Sequence, residues 1–377
     1  MEKNNIEIEA QKLKNAMDFY LLANNLKYQI RNNHRQSIAD QIYGTMILAI
    51  AFYSEYGIIN DLGTVLRIIL LKEMQLNNKN QFDICLSKLS KGNNYVKELE
   101  MNSEFWEFNT EIGNFIEFCK SLDNNLSIFF NEFLIFNKVN TDDYRELYQL
   151  AKETGYFVSL ENDDKKNLEI FRFYYLNNKL KNKIRSGWDS HHWNINYNRI
   201  ERISEHVVGT IALAIALDSE FNFEIDIDKV ISTLCIHEVG EIKIGDITPF
   251  DNITPEQKQK IEHEAIIDVI GNLTKNQEMI NSIFEFDDKK TNNAKFSHYC
   301  DKLEADIQSK IYQDMGCHHS IIEQENNVVF KNIKVRKMIE EGAVVPFDIW
   351  YNWDKDIYKD SPTFTKVLKY AKNNKLK

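Results

Sequence analysis

Proline is nearly missing from this chain of 377 residues, which has only Pro249, Pro255, Pro346 and Pro362. Proline interrupts helices because it has no amide hydrogen to donate, so nothing before Pro249 forces a helix to stop. Long apolar runs are missing too. The most apolar stretch, Ile211 to Leu217, falls far short of the roughly 20 residues a membrane-spanning helix needs, and no signal peptide is visible. The five cysteines, Cys85, Cys119, Cys235, Cys300 and Cys317, are widely spaced and odd in number. That excludes a disulfide framework and suits reduced, mostly buried thiols. Basic charge is in deficit: 46 Lys+Arg stand against 57 Asp+Glu, a net charge of −11. A nucleic-acid polymer is thereby disfavoured as partner, although a small nucleotide can still bind through a few placed cations. The expectation is an almost entirely helical, soluble, cytoplasmic protein without a membrane segment. Its length implies one large or two ordinary domains.

What the chain does contain is an internal echo. Ser37 to Tyr56 and Arg202 to Phe221, 165 positions apart, are identical at nine of twenty positions, including Gly44/Gly209, Thr45/Thr210 and Ser54-Glu55/Ser219-Glu220. The segment FYLLANNLKYQIRNN from Phe19 matches FYYLNNKLKNKIRSG from Phe173 at an offset of 154, which implies eleven extra residues in the second copy before its long apolar segment. FIEFCKSLDNNL from Phe115 matches FSHYCDKLEADI from Phe296. Three collinear matches predict two tandem helical domains, 1–160 and 161–377, with the polar stretch Glu161 to Lys166 at the boundary.

The second copy carries four ionisable residues in helix-patterned apolar segments: His206, the pair His237-Glu238, and Asp301. An unpaired ionisable group is costly to bury, so three segments aiming imidazole and carboxylate inward point to a metal. A lone histidine on an apolar face more often serves as a hydrogen-bonded core residue, but here a doublet follows thirty-one residues later. Asp226 or Asp228 can cap the helix that leads to the doublet. Glu241 lies four residues after His237 and three after Glu238, so it projects from nearly the same face one turn on. Two imidazoles and two carboxylates suit one divalent ion, Mn²⁺, Fe²⁺, Co²⁺ or Mg²⁺, in an open site rather than a closed structural zinc site. In the first copy the four positions are Gln41, Lys72, Glu73 and Lys120. An ammonium has no lone pair, so that copy cannot hold the same ion.

The strings Ser204-Glu205-His206, His237-Glu238, Gly245-Asp246-Ile247 and Asp301-Lys302-Leu303-Glu304 resemble the H…HD…D signature of the HD-domain metal-dependent phosphohydrolases. The closest likeness is to the branch with the 5′-deoxynucleotidases. One position departs, since Glu238 stands where the signature has Asp. The resemblance implies His206, His237, Glu238 and Asp301 as ligands, Glu241 as the proton-handling carboxylate and Asp246 as a further active-site acid. Arg185-Ser186-Gly187-Trp188 resembles the branch's Arg-x-Gly-Trp element. It offers the Arg185 guanidinium to a phosphate and the Trp188 ring to a base or sugar, with Arg202 as a second phosphate contact. Lys302 and Glu304 read as surface or supporting groups, His298 as structural, and His191 and His192 as bystanders in a polar loop.

By this resemblance the fold is all-α: two tandem HD-like domains, the first degenerate, paired as an internal pseudo-dimer, with a homodimer also open. The expected function is hydrolysis of a small nucleotide, most simply a (deoxy)nucleoside 5′-monophosphate. One rival is a triphosphohydrolase, which needs more cations than the sequence assigns. Another is nucleotide sensing without turnover, favoured by Glu238 and the degenerate copy. A purely structural scaffold would leave the second copy's chemistry unexplained.

Overall fold

The computed structural model of the chain describes residues 2–31, 36–107, 111–251, 253–325 and 327–377. Asn32 and Asn33, the end of one repeat match, lie outside them. The first half comprises α1 (Glu2–Asn24), α2 (Ile38–Tyr56), α3 (Leu62–Asn77), α4 (Lys79–Lys88), α5 (Gly92–Glu107), α6 (Glu111–Ile128), α7 (Leu134–Phe136) and α8 (Tyr144–Glu153). The second comprises α9 (Asp164–Asn178), α10 (Ile203–Glu220), α11 (Ile227–Ile236), α12 (Glu241–Ile244), α13 (Pro255–Ile270), α14 (Asn276–Asp288), α15 (Asn292–Asp314), α16 (Val328–Lys331), α17 (Ile333–Glu340), α18 (Pro346–Asp354) and α19 (Pro362–Asn373). The fold is all-α; among the described residues extended pairing is limited to isolated bridges such as Ile30 with Ser37 and Ile184 with Arg202. Pro255, Pro346 and Pro362 open α13, α18 and α19, the helix position that has no amide bond to lose. All five cysteines are free and buried. Among the described residues no helix is long and apolar enough to cross a membrane.

Every residue of α10 is buried, because its apolar side chains run around the whole helix rather than along one stripe. It packs against α1, α2, α11 and α15. The opening helices are exchanged: α1 lies on α10 of the second half, and α9 lies on α2 of the first. One apolar core therefore runs from Leu13 to Leu376. Residue 160 does not separate two cores, because each half's opening helix fills the other half's interior.

Polar contacts across the halves come in similar pairs, in which Asp40/Glu205, Ser54-Glu55/Ser219-Glu220, Tyr20/Tyr174, Lys27/Lys181 and Asp123/Glu304 stand at the offsets of the sequence echo. The Ser204 hydroxyl donates to Asp40 and the Ser37 hydroxyl to Glu205, each at 2.6 Å. Ser54 Oγ and Glu55 Oε1 accept from the amides of Lys275 and Thr274 at 2.9 and 2.7 Å. Ser219 Oγ and Glu220 Oε1 accept from the amides of Lys91 and Ser90 at 3.1 and 2.5 Å. Tyr174 and Lys181 reach Asp123 at 2.7 and 2.5 Å, while Tyr20 and Lys27 reach Glu304 at 2.8 and 2.5 Å. Gly44 and Gly209 make room for these last two clusters. A Cβ on Gly44 would lie 1.8 Å from Asp123 Oδ1, and one on Gly209 would lie 2.4 Å from Glu304 Oε1 and 2.8 Å from Lys27 Nζ. Only glycine admits a buried ion pair that close to the helix backbone.

α15 and α18 meet through two buried carboxyl groups, Asp306 and Asp354. Tyr358 donates to Asp306 at 2.7 Å. Burial, and then the charge of Asp354, pushes Asp306 well above its ordinary range. Burial raises Asp354 from 3.8 to about 6, partly offset by Lys302. A carboxyl whose pKa is raised by folding binds its proton more tightly in the native state. Its stabilisation is complete below the unfolded value near 3.8 and is lost as pH rises through about 6. Asp354→Asn removes the charge, and its amide oxygen can still accept from the Asp306 carboxyl. The variant is expected to be more stable than the parent at pH 7.5 by about 2 kcal/mol, with no gain at pH 4; urea unfolding at both pH values checks this.

Candidate metal centre and active site

His206 comes from the first turn of α10, where Glu205 Oε2 accepts from the Arg202 amide and holds the helix start. Its ring is fully buried. Nδ1 contacts Glu304 Oε2 at 2.6 Å, leaving Nε2 3.0 Å from Asp301 Oδ1 and 3.6 Å from Glu238 Oε1. α11 is capped by Asp226, whose side chain accepts from the Lys229 amide at 3.1 Å, and it ends at Ile236. His237 and Glu238 occupy the tight turn that follows, closed by the Glu241 amide on the Glu238 carbonyl at 3.1 Å. His237 Nδ1 contacts the Leu234 carbonyl oxygen at 2.6 Å, while its Nε2 is buried without a hydrogen-bond partner. That nitrogen faces Glu238 at 3.6 Å and Asp301 at 3.7 Å.

One atom each from His206, His237, Glu238 and Asp301 thus lie within 4.8 Å of one another. Each imidazole is anchored by one nitrogen and turns the other to a common point, the arrangement in which histidine ligands are usually held. An orphaned buried nitrogen beside two carboxylates fits a divalent cation with mixed N and O donors. Glu201, His206 and Glu304 form a second ligand-like group, but the Lys27 ammonium already pairs with both carboxylates.

The electrostatics agree with a cation site. Burial pushes Glu238 up, but the charges of His237 and Arg185 prevail and hold it at about 2. Burial likewise opposes ionisation of Asp301, yet Lys302 and the two histidines keep it well below the usual carboxylate range. For His206, burial and Arg185 push down, while hydrogen bonds to Asp301 and Glu304 carry it to about 9. A bound ion has to displace that proton.

His237, Glu238 and Asp301, with His206 just behind them, form part of the wall of a 740 Å³ cavity, a size typical of small-molecule sites. Glu241 lies in this wall, 5% exposed, with Oε2 unpartnered. Burial first, then the Asp246 and Glu238 charges, push its pKa well above the ordinary range. Asp246 accepts from the Ser186 amide at 2.8 Å and lies 3.6 Å from Arg185 Nε. Arg185 donates to Glu238 at 2.6 Å and retains further N–H groups toward the cavity.

Of the two other expected substrate contacts, Trp188 lines the cavity but is largely covered, and Arg202 is placed elsewhere. Arg202 Nη1 donates to the Lys181 carbonyl at 2.7 Å and to Asp40 at 3.2 Å. It is not among the residues lining the cavity, because the buried Asp40 of the first half draws it away. Trp188 is only 1% exposed; its Nε1 donates to Glu201 at 2.8 Å, and Trp350 stacks on it at 4.8 Å. The more accessible aromatic wall consists of Trp350, Trp353 and Phe250. Trp350 and Trp353 are three residues apart in α18, a helical spacing that was legible in sequence. Their approach to the metal ligands was not. Lys258, Lys289 and Lys302 also line the cavity, and nothing local in the sequence marks them. His192 is outside the cavity lining but is buried and held in place, contacting Asp189 at 2.8 Å and Thr248 at 3.1 Å. His191 is exposed. His298 lines the cavity, held down to about 3 by burial.

In the first half, Lys120 pairs with Glu73. Lys72 falls to about 8 through burial, with the Lys120 charge pushing the same way. Gln41 donates to Asn124 at 3.4 Å.

A family model for the HD domain matches residues 177–341. The 5′-deoxynucleotidase HDDC2 of Dictyostelium discoideum is 32% identical over 148 residues, covering 37% of this chain and 76% of that protein. The 5′-deoxynucleotidase hdd1 of Schizosaccharomyces pombe is 29% identical over 156 residues, 39% of this chain and 74% of its own length. Human HDDC2 is 26% identical over 148 residues, with 39% and 69% covered.

One divalent ion per chain is expected, lost in His206→Ala and in Asp301→Ala. Metal analysis of the purified protein checks this, and two tightly held ions, or metal retained in both variants, would contradict it.

Proposed function

The chain belongs to the HD-domain family, and from that membership we propose that residues 161–377 form a metal-dependent phosphohydrolase domain for small nucleotides, most simply a (deoxy)nucleoside 5′-monophosphate. The observation that carries this reading is the convergence of His206 with His237, Glu238 and Asp301, the last three in the wall of a cavity that also presents Arg185, Glu241 and an aromatic surface. That these relatives are 5′-deoxynucleotidases agrees with a phosphoric monoester as substrate. Mn²⁺, Fe²⁺, Co²⁺ and Mg²⁺ all suit the donors. A divalent ion held there supplies Lewis acidity at the phosphoryl group.

The chain's own groups divide the remaining work. The Arg185 donors not spent on Glu238 bind phosphate oxygens and offset charge that builds on them. Water adds to phosphorus and the P–O bond to the nucleoside breaks. Glu241, disposed by burial to hold a proton more tightly than an ordinary carboxyl, gives it to the leaving oxygen and regains one from the attacking water. Asp246 fixes the Ser186 amide and steadies the loop that carries Arg185. Trp350 offers its ring face to the base or sugar.

Two observations keep rivals in view. Three lysines around the cavity add cations for a longer phosphate tail, although the carboxylates of the lining outnumber them. Arg185 engages Glu238 directly, competing for a ligand oxygen and favouring binding without turnover.

We propose further that residues 1–160 are a degenerate repeat acting as an internal partner. The paired contacts at matching offsets support this, as does the ion pair of Lys120 with Glu73 where the second half has Asp301 and Glu238. The free buried thiols suit a cytoplasmic location.

A phosphate-release screen over mono- and triphosphates with a panel of divalent metals should give turnover with monophosphates. Triphosphates alone, or nothing, would favour one or other rival. Glu241→Gln should keep its metal and lose hydrolysis by about a hundredfold or more. An unchanged rate would move the proton-handling role elsewhere, with Asp246 the next candidate.

A further inference from the structure

The N-terminal half lies outside the matched HD region, yet it reaches the metal centre through two side chains of its first 27 residues. Tyr20, on α1, and Lys27, just beyond it, enter the interior between α10 and α15. Lys27 Nζ lies 2.5 Å from Glu304 Oε1, and the Tyr20 hydroxyl donates to the same oxygen at 2.8 Å. The other oxygen of Glu304 holds His206 Nδ1 at 2.6 Å. Lys27 also pairs with Glu201, whose second oxygen accepts from Trp188 Nε1. Tyr20, Glu304 and His206 are fully buried, and Lys27 is 2% exposed.

We propose that Lys27 and Tyr20 are positioning residues for the metal centre. On this reading the N-terminal half supplies the anchor that fixes the His206 imidazole through Glu304. The physical reason is the cost of a buried carboxylate without a counter-charge. Glu304 can stand behind His206 in the core only because an ammonium stands behind Glu304. In so buried a position, loss of Lys27 leaves Glu304 without its counter-charge, frees it to shift and leaves the ring without its fixed partner. Groups behind a metal-bound histidine typically govern metal affinity by ten- to hundredfold. Gly209 belongs to the same device, since a Cβ there would overlap both Lys27 and Glu304.

The molecule contains its own control. Lys181 and Tyr174 meet Asp123 beside Gly44 with the same burial and similar distances, but the residue in the place of His206 is Gln41, which is directed to Asn124. Removing either lysine breaks a buried ion pair and costs stability; only Lys27 has a metal ligand behind its carboxylate.

The inference rests on His206 being a metal ligand, and the test separates the two claims. Mn²⁺ is titrated into the full-length protein, and free Mn²⁺ is read by electron paramagnetic resonance, for the parent, Lys27→Met, Lys27→Arg, Tyr20→Phe and Lys181→Met. Lys27→Met is expected to weaken Mn²⁺ binding by about ten- to hundredfold, with partial recovery in Lys27→Arg. Lys181→Met should bind as the parent does even if its melting temperature falls equally. Should Lys27→Met fail to fold, the milder Tyr20→Phe still removes one of Glu304's hydrogen bonds and should weaken binding several-fold. No Mn²⁺ binding by the parent overturns the metal reading and this inference with it. Parent-like binding by a folded Lys27→Met, or by Tyr20→Phe where that variant alone folds, overturns the inference alone. Equal weakening in Lys181→Met does the same.

Discussion

A charge cannot stay inside this protein without an opposite charge beside it, and the architecture follows from that constraint. α2 and α10 run through the interior and carry or touch Asp40, Glu205, Asp123 and Glu304, each almost wholly buried. Their partners come largely from the other half of the chain: Arg199 and Ser204 for Asp40, Lys181 and Tyr174 for Asp123, Lys27 and Tyr20 for Glu304. Neither half alone supplies all the partners of these four carboxylates, although Arg199 also pairs with Glu205 and Arg31 with Asp123 within their own halves. The exchanged opening helices are thus a demand of electrostatics as well as of packing, and the result is a main core shared by both halves, with a smaller cluster around Trp188 and Tyr312 in the second.

The same constraint shapes the cavity. Glu238 and Asp301 are held ionised by the histidines, Arg185 and Lys302, whereas Glu241, one turn on, is pushed the other way by burial and by Asp246. Neighbouring carboxyl groups are thereby sorted into ligands that stay charged and an acid that keeps a proton. Environment, not residue type, makes that division. The excess of carboxylate in the lining suits a cation at the centre and a substrate with few phosphates.

Much of this was readable in advance. The scarcity of proline and the all-round apolar pattern from Ile203 to Leu217 meant buried helices, and the structure is all-α. The spacing of His206, the doublet and Asp301 marked residues that the fold draws together within 4.8 Å. Other readings went astray where a local string was given a local role. Trp188 does line the cavity, but Trp350, more than 150 residues later, covers most of the ring offered to a base or sugar. Arg202, beside the His206 helix, is drawn off by Asp40, and His192 looks loop-like until Thr248 is seen to hold it. In each case the deciding partner is remote in sequence, so no window around the residue contains it.

Helix content, cation-ligating residue types and the echo between Ser37–Tyr56 and Arg202–Phe221 were determined by the sequence alone, since periodicity and side-chain chemistry are local properties. Only the tertiary structure decided which nitrogen of each imidazole turns inward, which aromatic ring faces the cavity, and that Lys27 stands behind Glu304. Those outcomes depend on pairing buried charges across nearly 280 residues of chain. Such pairing is set by the three-dimensional cost of an unmatched charge and leaves no trace in the spacing of neighbours.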